Sequence, residues 1–117
     1  MRQVAYAIVL ALLLPIGAFA HSPLKATFPA DNSEMKTQPD KLTLEFGKPA
    51  RLTKIVLTHA LGEANHADRL ELPSRSFQKL FELTPQFRGK GDYKVEWRAL
   101  SDDGHPLNGA FSFSVSE

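Results

Sequence analysis

Residues 93–99 read YKVEWRA, and the alternation along that stretch decides the fold class. Tyr93, Val95, Trp97 and Ala99 leave one side of an extended chain, while Lys94, Glu96 and Arg98 leave the other. A repeat of two marks a strand with one buried face. The apolar side is rich in the aromatic and β-branched residues that suit a pleated surface. Working outward, KLTLEF (41–46) sets Leu42, Leu44 and Phe46 against Lys41, Thr43 and Glu45. AFSFSV (110–115) sets Phe111, Phe113 and Val115 against serines. LKATF (24–28), LTKIVLTH (52–59), DRLELP (68–73) and QKLFEL (78–83) carry fainter strand patterns. Turn-forming runs separate them: PADNS, GKPA, LGEANH, LPSRS, TPQFRGKGD and SDDGHPLNG. No long window has a 3.6-residue apolar repeat, so helices are not expected. About seven strands at this spacing predict an all-β, antiparallel Greek-key sandwich or barrel.

The first 20 residues differ in composition. Arg2 precedes the apolar run VAYAIVLALLLPIGAF, and Ala18 and Ala20 then supply a small-x-small cleavage site. That order is the pattern of a secretory signal peptide, and the run is marginal for a retained membrane anchor. The expected division is a signal peptide over 1–20 and a single domain over 21–117, with His21 as the mature amino terminus. Of 117 residues, 97 then remain, enough for one modest core. Losing Arg2 takes Lys and Arg from 14 to 13, against 13 acidic residues. A neutral domain without a basic stripe is not a nucleic-acid partner. There is no cysteine, which removes disulfides, zinc–thiolate, iron–sulfur and blue-copper sites. Met35 is the only methionine after residue 20, so a Met-rich Cu(I) site is excluded as well.

Chemistry is expected at two places. In SDDGHP (101–106), Asp103 and His105 stand two residues apart, on one face if the backbone is extended. Gly104 loosens the turn between them, and Pro106 stiffens its exit. The turn joins two of the clearest strand patterns, so a carboxylate and an imidazole would be held on a rigid scaffold. Taken alone the pair also reads as an ordinary Asx turn. His21 adds a second half. A histidine at a free amino terminus offers its α-amine and imidazole Nδ1 as a chelate. Pro23 has no amide hydrogen, so a metal cannot proceed along successive deprotonated amides and must take ligands elsewhere. One amine, two imidazoles and a carboxylate suit tetragonal Cu(II), with Zn(II) as the competing ion. His59 and His66 lie around THALGEANHAD with no fixed partner and read as solvated loop side chains.

The segments HSPLKATFPADNS, DKLTLEF and GDYKVEWRALSDDGHPLNGAFSFSV resemble the CopC family of periplasmic copper-binding proteins across the whole mature chain. The resemblance implies an immunoglobulin-like β-sandwich, export to the periplasm, and binding of one Cu(II) ion for copper tolerance or delivery. It also implies work beside a CopD-like inner-membrane copper protein; a monomer is the assumed state, with nothing in the sequence against it. Carried over residue by residue, the Cu(II) ligands are the amine and imidazole of His21, with Asp103 and His105. Two family features are missing here. The loop that holds a Met- and His-rich Cu(I) site in some members has no methionine, and Lys48 stands where some members carry an acidic residue.

A non-enzymatic carrier or buffer is the expected function. Two alternatives remain: a histidine-brace copper oxidase or monooxygenase, and a metal-free interaction module. A hard carboxylate such as that of Asp103 favours Cu(II) and opposes the redox cycling an oxidase needs.

Overall fold

The structure, a computed structural model, describes residues 23–117. The proposed signal peptide and His21 lie outside the described residues. Seven strands make up the fold: β1 (Leu24–Phe28), β2 (Ser33–Met35), β3 (Leu42–Leu61), β4 (Ala64–Arg69), β5 (Gln78–Leu83), β6 (Gly91–Ser101) and β7 (Pro106–Val115). No helix occurs among the described residues. The strands form one hydrogen-bonded sheet in the order β1-β3-β6-β7-β2, with β4 and β5 also pairing to β3.

Strand β3 organises everything else. Its first part pairs with β1 over Thr43–Phe46 on one side and with β5 over Leu42–Glu45 on the other. Its second part, Ala50–Ala60, pairs with β6, and Val56–Leu61 also pairs with β4. The curl of the sheet brings the two parts face to face. Phe46 meets Phe81 of β5 edge-on at 5.8 Å and Trp97 of β6 edge-on at 5.3 Å, so aromatic rings close the gap between layers. Leu42, Leu44, Ile55, Phe81 and Val95 are fully buried in the same cluster. Each such side chain contributes about 1.5 to 3 kcal/mol by leaving water.

The structure corrects several expected boundaries. GKPA is not a turn but the middle of β3, where the strand changes partners. Pro49 causes no conflict, because the register with β5 jumps from Glu45 to Ala50 and asks no ladder donor of it. LGEANH is a tight hairpin whose return strand starts at Ala64, so DRLELP contributes only its first two residues to β4. Ser33–Met35, absent from the expected strands, pairs parallel with β7, against an otherwise antiparallel pattern.

Candidate metal centre

The β6–β7 ladder ends with Leu100 opposite Pro106, and the SDDGH turn closes it. Within the turn, Ser101 N–H donates to the His105 carbonyl at 2.8 Å, and Gly104 N–H donates to the Ser101 carbonyl at 2.9 Å. Gly104 has a φ of 88°, which the bare glycine backbone accepts without strain. The side chains add a second layer of bonds. The Ser101 hydroxyl donates to Asp103 Oδ1 and accepts from the His105 backbone N–H at 3.0 Å. Asp103 Oδ2 lies 2.9 Å from His105 Nδ1.

These contacts fix the protonation of the pair. The Ser101 hydroxyl, then the ring and backbone N–H groups of His105, hold the Asp103 carboxyl down to about 2. An ionised carboxylate only accepts, so the proton between Oδ2 and Nδ1 belongs to the ring. In the neutral ring Nε2 is then bare, and His105 is 77% exposed at its side chain. Asp103 and His105 are thus brought together as the sequence predicts. Ser101, which links them, was missed; its signal is a hydroxyl residue two places before the aspartate at the end of a strand.

The start of the described chain comes to the same part of β3. Read backwards, β1 advances along β3 from Thr43 to Phe46, and Gly47 N–H donates to the Pro23 carbonyl at 3.1 Å. Read forwards, β6 comes down to Ser101, whose partner is Ala50. Pro23 and the SDDGH turn therefore flank the short crossing segment Gly47–Ala50, where Lys48 is exposed. Among the described residues no three His, Cys, Asp or Glu side chains gather closely enough to hold a metal. Asp103 and His105 together present one carboxylate and one imidazole.

The other two histidines differ from expectation. His59 is not a solvated loop residue: it lies within β3, only 6% exposed, with Nε2 2.8 Å from the Lys90 carbonyl. A carbonyl accepts, so Nε2 carries the proton, and Nδ1 is buried without a partner. The ring packs on Tyr93 at 4.7 Å. His66, opposite it on β4, is exposed as expected. His59 shares the phase of Ile55 and Leu57, which places it on the core face.

Comparison with known proteins identifies the family. The family model described as CopC domain matches residues 24–116. The chain belongs to the CopC family. Copper resistance protein C of Pseudomonas syringae pv. tomato is 32% identical over 111 residues, covering 89% of this chain and 87% of that protein. The copper transport protein CutJ of Bacillus subtilis is 29% identical over 108 residues, covering 91% of this chain. The chain spans only 20% of the length of CutJ. Among solved structures, PcoC, a methionine-rich copper resistance protein from Escherichia coli, aligns with a TM-score of 0.61 at 28% identity. That alignment covers 82% of this chain and 99% of PcoC. These CopC-family relatives are named for copper resistance and transport, not for a catalysed reaction.

Proposed function

We propose that the exported chain is a periplasmic Cu(II) carrier or buffer, holding one ion between its processed amino terminus and the SDDGH turn. The ligands are the amine and imidazole of His21, the His105 imidazole and the Asp103 carboxylate. One observation carries the reading: Pro23 and Ser101 are anchored on the same crossing segment of β3, three residues apart at Gly47 and Ala50. That separation is about 10 Å of strand. The two residues from Pro23 back to His21 reach about 7 Å, and the turn extends from the other side.

The exposed face of His105 offers Nε2 to an arriving ion. Turning the ring breaks its 2.9 Å bond to Asp103 Oδ2 and lets that carboxylate join the same ion. One anionic oxygen among nitrogen donors suits Cu(II), and Lys48 adds positive charge rather than a further carboxylate. Delivery to a CopD-like membrane partner and action as a monomer complete the proposal.

The test compares protein starting at His21 with protein carrying one extra residue ahead of it, by Cu(II) titration. The extra residue turns the amine into a peptide bond, and binding is expected to weaken by about two orders of magnitude or more. Equal binding by both would overturn the proposal.

A further inference from the structure

We infer that Ser101 is a positioning residue for copper, acting through Asp103. The inference rests on the copper reading above and goes beyond its ligand set. Four hydrogen bonds of the turn meet at Ser101, one of them from the Gly104 N–H to its carbonyl. Its backbone is tied to the His105 carbonyl, and its register partner is Ala50 of β3. Its hydroxyl donates to Asp103 Oδ1 and accepts from the His105 N–H. It is half-buried at the end of β6, whereas Asp103 is exposed on the turn. The hydroxyl is therefore the fixed end of the contact, and the carboxylate is the end that gets placed.

The contact gains importance when metal binds. Two side chains hold the Asp103 carboxylate: Ser101 at Oδ1 and the His105 ring at Oδ2. A His105 ring that turns to a metal gives up its bond to Oδ2. Ser101 is then the remaining side-chain hold, and it occupies Oδ1, leaving Oδ2 to accept elsewhere. The carboxylate keeps its place while the imidazole moves, and the entropy of ordering it has already been lost in the apo fold. Groups that orient ligands in this way affect metal affinity by about 10- to 100-fold.

The test uses processed protein beginning at His21, with Ser101→Ala, Ser101→Thr, Asp103→Asn and His105→Ala. Cu(II) affinity is read by competition with a chelator, release by stopped flow, and folding by the melting temperature of the metal-free form. Ser101→Ala is expected to weaken binding about tenfold and to speed release, with a melting temperature close to wild type. Ser101→Thr keeps the hydroxyl and should bind within about threefold of wild type. If Ser101→Ala binds as wild type does while Asp103→Asn and His105→Ala bind weakly, the inference is wrong and the copper reading stands. If neither Asp103→Asn nor His105→Ala weakens binding, the copper reading itself fails. An affinity loss that follows the melting temperature and is not restored by Ser101→Thr assigns Ser101 a purely structural role and also overturns the inference.

Discussion

His59 and His105 stand near opposite ends of strand β6 and illustrate two uses of the same side chain. His59 is opposite Tyr93 near the start of β6, buried, with Nε2 bound to the Lys90 carbonyl. Around it, the Tyr93 hydroxyl donates to the Gly89 carbonyl at 2.6 Å and accepts from the Arg88 N–H at 2.8 Å. The Gln38 side chain accepts from the Gly89 N–H at 2.9 Å. That end is a closed corner in which the histidine belongs to the core. His105 lies just past the other end of β6, exposed, with one nitrogen bound to Asp103 and the other bare. Burial makes a histidine part of the scaffold; an anchored but exposed one stays available as a ligand.

The sharpest way to break this contrast is to remove each ring in turn. His105→Ala is expected to weaken Cu(II) binding by roughly a hundredfold or more while leaving the metal-free melting curve nearly unchanged. His59→Ala should do the reverse, costing about 2 to 3 kcal/mol by cavity formation and a lost hydrogen bond. Chemical denaturation and copper titration of both variants provide the check, and coupled losses in either one would erase the distinction.

The glycines of the two ends make a second, smaller test. A Cβ on Gly91 would stand 2.5 Å from His59 Nε2 and 2.6 Å from the Ala60 carbonyl, at a φ of 135°. Gly91→Ala should therefore cost about 2 to 3 kcal/mol. A Cβ on Gly104 would meet nothing within 4 Å, so only its φ of 88° resists substitution. Gly104→Ala should cost about 1 to 2 kcal/mol, measured by denaturant unfolding.

The smallest effect concerns acid. The folded Asp103 carboxyl is lowered to about 2 from an ordinary 3.8, so its contribution to stability is complete above about 4. That contribution is lost as pH falls through about 2. Asp103 thus stays ionised at pH 5. Loss of copper between pH 7 and 5 is expected to follow the nitrogen donors, whose reference values are about 6.5 for imidazole and 7.7–8.0 for the amine. A carboxyl titration by NMR with its midpoint near 4 would contradict the hydrogen-bonded turn.

Much of this was legible in the sequence, for identifiable reasons. Strand β6 and the second half of β7 follow from alternation, because their buried faces are continuous and local, whereas β1 and β5 carry fainter patterns and leave Phe28 and Leu80 exposed. The unity of β3 was not, since Gly47-Lys48-Pro49 is written in turn residues although the strand only changes partners there. Ser33–Met35 is too short for a period, and its place beside β7 depends on the far end of the chain. The Asp103–His105 pair was readable from its spacing, although the backbone between them is a turn rather than extended and their contact with each other and with Ser101 holds them together. The burial of His59 was written in its phase with Ile55 and Leu57, and was masked by the polarity of the residue. Ser101 escaped because its one signal, a hydroxyl two places before an aspartate at a strand end, is too short to stand out.

The most direct measurement is the paramagnetic resonance spectrum of one equivalent of Cu(II) on protein whose mass shows that it starts at His21. A tetragonal signal with three nitrogen donors, losing one nitrogen in His105→Ala, is the predicted result. A spectrum that stays the same when the terminal amine is acetylated would mean that copper sits elsewhere.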